Sequence, residues 1–199
     1  MGRIYSAAQP ASIGDFAGLH LLADRPARAC TNRGLSANGI IEIRPEDPRQ
    51  PDVQALLDQS DSHFRALYPA ESNHLVSADV LGTDRAVFLA ARRNGELLGS
   101  IALLVIAPGH AEMKRMFVRA DVRGIGLGRR LLNALEEVAC HQNIARISLE
   151  TGIKQSEAIG LYRAFGYQDC SPFGDYKDDP LSLFMTKSLR PLTKIDSEF

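Results

Sequence analysis

Apolar and polar positions along the chain fall into short strand-like stretches separated by segments of helical periodicity. Ile40-Ile41-Glu42-Ile43-Arg44 reads as a strand closed off by Pro45 and Pro48. Asp52 is a candidate cap for a helix in which Val53, Leu56, Leu57, Ser60, Phe64, Leu67 and Tyr68 recur at helical spacing until Pro69. Ser77 starts a short second helix that ends at Gly82. A hairpin follows, with Ala86 to Ala91 outward, the Asn94-Gly95 turn, and Leu97 to Ile106 returning. Pro108-Gly109 turns into another strand, Ala111 to Val118. Beyond it, Leu127, Leu131, Leu132, Leu135, Val138 and Ala139 share one helical face. Ala145 to Glu150 reads as a strand, Ser156 to Phe165 as an amphipathic helix ended by Gly166, and Leu181 to Met185 as a last strand. The predicted order is β, α, α, β, β, β, α, β, α, β. That order describes one α/β domain with a mixed, mostly antiparallel central sheet flanked by helices.

Residues 1 to 39 lack this patterning. They are rich in Ala, Ser, Gly and Arg, and are expected to be a poorly ordered extension before a domain over residues 40–190, with residues 191–199 as a tail. At 199 residues, 45% hydrophobic and 24% charged, the chain can bury a core of ordinary size. Its 23 basic and 24 acidic residues leave no basic excess for a nucleic-acid partner. No apolar run approaches the ~20 residues that cross a bilayer, so no membrane partner is expected. Cys30, Cys140 and Cys170 are odd in number and far apart, with no metal-ligand spacing. The expectation is therefore a cytoplasmic protein without a metal.

The most informative segment is Arg123-Gly124-Ile125-Gly126-Leu127-Gly128, between a strand and a helix. Such a turn exposes backbone N–H groups at the positive end of a helix and suits phosphate. A P-loop would need Lys and then Ser or Thr where Arg129-Arg130 stand. A dinucleotide fingerprint would need glycine at Arg129. Glu150 does sit about 20 residues on, but Arg119 to Val122 separate the turn from its strand. Arg123-x-x-Gly126-x-Gly128 instead resembles the (Gln/Arg)-x-x-Gly-x-(Gly/Ala) signature of the GNAT acetyltransferases. Ala158-x-x-Leu161-Tyr162-Arg163-x-x-Gly166-Tyr167 resembles their second signature, and the resemblance runs from Ile40 almost to the C-terminus. Leu149-Glu150-Thr151-Gly152, Tyr68-Pro69-Ala70-Glu71-Ser72 and Phe173-Gly174-Asp175-Tyr176 are similar to an uncharacterised bacterial subgroup of that family.

The resemblance implies an N-acetyltransferase that uses acetyl-CoA as co-substrate and a small-molecule primary amine as acceptor. Other readings are acetylation of a protein lysine or N-terminus, and a non-catalytic acyl-CoA sensor; homodimers are common in such folds. Met116, Phe117 and Val118 are expected to hold the pantetheine arm. Arg123, Gly124, Ile125, Gly126, Leu127, Gly128 and Arg129 are expected to hold the pyrophosphate. Gln155 replaces the family's usual Asn, so its role as a cofactor ligand is carried over with one more carbon in the side chain. Tyr162 is the candidate general acid, against a reading as a packing partner of Leu161 and Phe165. Glu112 is a candidate base, with neutralisation by Lys114 or Arg115 as the alternative; Glu150 is the second candidate. His63, His74 and His110 rank below these carboxylates as bases. Tyr68, Glu71, His74, Asp175 and Tyr176 are expected to contact the acceptor.

Overall fold

A computed structural model describes residues 39–72 and 74–189, with the side chain of Glu71 not among the described parts. The expected extension and tail therefore lie, but for Gly39, outside the described residues. The elements run β1 (Ile41–Pro45), α1 (Pro51–Leu67), α2 (Ala78–Leu81), β2 (Ala86–Arg93), β3 (Glu96–Ala107) and β4 (His110–Val118). They continue with α3 (Leu127–His141), β5 (Arg146–Gly152), α4 (Ser156–Ala164), β6 (Gln168–Asp169) and β7 (Ser182–Ser188). Seven strands form one sheet in the order β1-β2-β3-β4-β5-β7-β6. Every pairing is antiparallel except β4 with β5. This is the α/β architecture expected, with one addition. The two-residue strand β6 is too short to show any periodicity in the sequence.

The caps explain most boundaries. Ser77 accepts a hydrogen bond from Val80 N and starts α2. Helix α1 starts differently from expectation: Gln50 is its cap and Pro51 occupies the first turn, while the Asp52 carboxylate bonds Val53 N and Arg92. Asn94 and Gly95 both take positive φ, the geometry of a tight hairpin turn.

Two clusters hold the sheet between its helices. On one face, Leu127, Leu131, Leu132 and Leu135 of α3 pack against Leu98, Ile101, Ile147 and Leu149. Each such leucine contributes about 2 kcal/mol by leaving water. On the other, Val53, Leu56 and Leu57 of α1 pack against Phe88, Ala102 and Phe117. Residue 99 must be glycine, because a Cβ there would lie 2.7 Å from the Phe117 carbonyl oxygen.

Two irregularities shape the centre of the sheet. The ladder between β3 and β4 steps from Ser100↔Phe117 to Ala102↔Lys114, so β4 carries one extra residue there. Arg115 lies in that bulge, with φ at +54°. Its carbonyl accepts a hydrogen bond from Ser100 Oγ at 3.1 Å. Second, β4 and β5 pair only at His110↔Arg146, Ala111↔Ile147 and Glu112↔Ser148. Past that point the strands part, leaving the edges of Met113 to Val118 and Leu149 to Gly152 unpaired with each other.

Candidate active site

The parting of β4 and β5 opens a seam that three adjoining pockets follow. The first is a groove lined by Met116, Phe117, Val118, Arg123, Gly124, Gly126, Leu127, Gly128, Arg129, Gln155 and Leu161. Ten of the eleven residues expected to hold the cofactor meet here; Ile125 is half exposed at the tip of the same turn. Helix α3 begins at Gly126, whose φ of +80° only glycine adopts freely, and no side chain caps its first turn. The first-turn N–H groups are thus left for another acceptor. Gly128 serves a different end: a Cβ there would lie 3.2 Å from the Leu161 side chain and 3.3 Å from that of Met116. Glycine at 128 lets α3, α4 and β4 approach closely. Arg123 Nε bonds the Val118 carbonyl at 3.3 Å, and the Arg129 guanidinium sits 5.7 Å from the Phe165 ring centre. Gln155 begins α4, and its side chain makes no cap. A bare helix end, an open strand edge and apolar walls fit the pyrophosphate and pantetheine of an acyl-CoA.

The second pocket is a narrow cleft of about 100 Å³ where the strands part, lined by Phe64, Tyr68, Met113, Met116, Leu149, Glu150 and Tyr162 among others. Tyr162 is buried, and loss of water together with the charge of Glu150 pushes its phenol well above the usual range. Glu150 is raised as well, first by burial and then by nearby Glu112, against the opposing pull of Ser182, Lys114 and His74. Ser182 Oγ donates to Glu150 Oε1 at 2.7 Å.

Glu112 stands in another setting. Lys114 Nζ lies 2.9 Å from its Oε1, and the Tyr176 hydroxyl donates to the same oxygen at 2.6 Å. Lys114 also donates to the Tyr176 oxygen and, at 3.4 Å, to the His74 carbonyl. Of the two neutralising partners considered for Glu112, the structure pairs it with Lys114. Arg115 turns away to Asp61 of α1 and to the Val76 carbonyl, 2.7 Å from its Nε.

The third pocket, of about 1130 Å³, lies between residues 69–76 and the loop before β7, and contains Glu112, Lys114, His74, Asp175 and Tyr176. The Tyr176 ring is wedged among His74, Phe173 and Phe184 at 4.9, 5.2 and 5.3 Å. Asp175 is exposed at the rim. Tyr68 lies deeper than expected of an acceptor contact. It is buried, its hydroxyl accepts from Lys154 N at 2.9 Å, and a Cβ on Gly152 would overlap its ring. Tyr68 thus holds the end of α1 against the turn after β5. His110 sits at the closed end of the seam. Its Nδ1 faces Arg146 at 3.1 Å and its Nε2 faces Ser148 Oγ at 2.8 Å. His63 packs edge-on against Phe64. Lys114, Arg115 and Ser182 were not singled out by sequence as site residues. Lys114 and Arg115 read there only as neutralisers of Glu112, and a serine in a strand carries no signal of its own.

The family model for the Acetyltransferase (GNAT) family matches residues 53–167, more than half of the chain. The protein belongs to the GNAT family. It is 43% identical to the IAA acetyltransferase of Azospirillum brasilense, over 75% of this chain and 98% of that protein. A crystal structure from Klebsiella pneumoniae, provisionally named an acyl-CoA N-acyltransferase, is 34% identical with a TM-score of 0.65. That match covers 77% of this chain and all of that one. The paia N-acetyltransferase of Thermoplasma acidophilum, solved with coenzyme A, shares the fold at 19% identity and a TM-score of 0.56, over 75% of this chain and 99% of that one. GNAT enzymes use acetyl-CoA, and this GNAT protein is an N-acetyltransferase. Among the described residues no cluster of side chains suits a metal ion, and no helix is long and apolar enough to cross a membrane.

Proposed function

We propose that the protein transfers the acetyl group of acetyl-CoA directly to the primary amine of a small molecule, with Glu150 as base and Tyr162 as acid. The observation that carries this reading is their shared cleft at the parting of β4 and β5, next to the bare end of α3.

Acetyl-CoA supplies an activated acetyl thioester. Leu127, Gly128 and Arg129 offer backbone N–H groups to its pyrophosphate, and the edge of Met116 to Val118 offers amides to its pantetheine. Gln155 adds a side-chain amide on the same groove. Holding thioester and amine together can supply about 7 kcal/mol or more of the barrier reduction. Glu150 takes a proton from the ammonium, so that the nitrogen lone pair can form the C–N bond as the C–S bond breaks. Tyr162 gives its proton to the departing thiolate and is reprotonated by the second proton, which the nitrogen sheds through solvent as the amide forms. The proton taken by Glu150 passes to solvent. The raised Glu150 pKa makes that carboxylate a stronger base, and the raised Tyr162 pKa keeps the phenol protonated. Glu112 has its charge answered by Lys114 and is assigned to shaping the acceptor pocket, with Tyr176, His74 and Asp175 as further contacts.

A pocket walled on two sides suits a small amine rather than a protein surface. Thiol release from acetyl-CoA over amino acids, polyamines, aminoglycosides, aromatic amines and short peptides tests the reading. A selective small-amine hit that collapses in Glu150→Gln supports it. A hit confined to peptides overturns the acceptor class, and full activity in Glu150→Gln overturns the base. Cytoplasmic location and a homodimer belong to the same proposal. The first rests on the free thiols of Cys140 and Cys170, and the second is checked by light scattering.

A further inference from the structure

Residues 74–76 form the wall shared by the narrow cleft and the acceptor pocket. They belong to neither helix nor strand, and no backbone hydrogen bond between described residues falls on them. Two side chains of β4 bond this wall. Lys114 Nζ donates to the His74 carbonyl and Arg115 Nε to the Val76 carbonyl. Consecutive residues of a regular strand point to opposite faces. Here the bulge at Arg115, with its positive φ, lets both neighbours reach one segment.

Arg115 carries more of this tie. Its side chain is 7% exposed, and besides Val76 it pairs with Asp61 of α1, a carboxylate that Arg65 also approaches at 3.6 Å. Its backbone is pinned by Ser100 Oγ, and the next residue along the chain, Met116, begins the edge offered to pantetheine. A single residue therefore spans from the cofactor edge to the acceptor wall.

We infer that Arg115 is a positioning residue that couples acyl-CoA binding to the order of the acceptor wall. The inference rests on the acyl-CoA reading of the groove. Coenzyme A on the edge of Met116 to Val118 fixes the bulge, the bulge fixes the guanidinium, and the guanidinium fixes the Val76 carbonyl. The acceptor then meets a formed wall only when its co-substrate is in place.

Amide hydrogen exchange of the full chain with and without coenzyme A, beside calorimetry of coenzyme A binding, tests this. In wild type, exchange across residues 74–82 slows at least fivefold on binding. In Arg115→Met, coenzyme A binds within about threefold of wild type but the slowing disappears. Asp61→Asn, a milder change that leaves the Val76 bond in place, keeps part of the slowing and serves where Arg115→Met fails to fold. Arg115→Met retaining the full effect, or Asp61→Asn and wild type alike showing none while binding coenzyme A, overturns the coupling alone. A wild type that does not bind coenzyme A overturns the acyl-CoA reading and the coupling with it.

Discussion

The seam between β4 and β5 has a closed half and an open half, and a glutamate stands in each. Glu112 lies where the strands still pair, opposite Ser148, and is answered by Lys114 and Tyr176. Glu150 lies beyond the last pair, in the cleft, with the Ser182 hydroxyl donating to it. Both belong to one sheet and both are shielded from water, and burial is the leading influence that raises the pKa of Glu150. Two residues apart on one strand, Lys114 and Glu112 face the same way, which brings the lysine close enough to neutralise the carboxylate. Where the strands part, Glu150 makes no ion pair among the described residues, and room is left for substrate. In the proposed mechanism, the carboxylate that takes the proton is the one beyond the last β4–β5 pair.

The contrast can be broken by substitution. The largest expected effect is on turnover: Glu150→Gln should lower kcat/KM by about 10²- to 10³-fold, and Glu112→Gln by less than tenfold, in the same thiol-release assay. Comparable losses in both would erase the distinction. Glu112→Ala should instead cost about 3 kcal/mol of stability, read by urea unfolding, because it leaves a half-buried lysine without its counter-charge. Tyr162→Phe should reduce kcat by ~10- to 100-fold while leaving the fold intact, since the ring keeps its place beside Tyr167. The smallest effect concerns pH. A carboxyl whose folded pKa is raised favours the folded state while protonated and loses that contribution as pH rises. Glu150→Gln should therefore melt a few degrees higher than wild type at pH 8 and together with it at pH 4. The wild-type rate should climb with pH along a limb set above the ordinary carboxylate range.

The framework around this seam was largely legible in the sequence. Strands, the Asn94-Gly95 hairpin and the Ser77 cap all follow from local rules, and the glycine turn named its own ligand chemistry. The bulge was not legible. Arg115 adopts positive φ without being glycine or asparagine, held there by Ser100, Asp61 and Val76 from three other segments. The choice between Glu112 and Glu150 was hidden for a similar reason. Which cation answers which carboxylate depends on register and on a loop aromatic, Tyr176, that stands 64 residues away in the chain.

The uncapped start of α3 reaches beyond catalysis. A helix capped by glycine forgoes only about a few tenths of a kcal/mol against serine or aspartate, and the positive φ of Gly126 would strain either of them. An anion resting on those N–H groups more than offsets that deficit. At a hundredfold excess over its Kd, a ligand that binds only the folded form adds about 2.7 kcal/mol. The stability of the folded form is then expected to rise with the concentration of that ligand. Protease resistance should therefore rise with acetyl-CoA concentration.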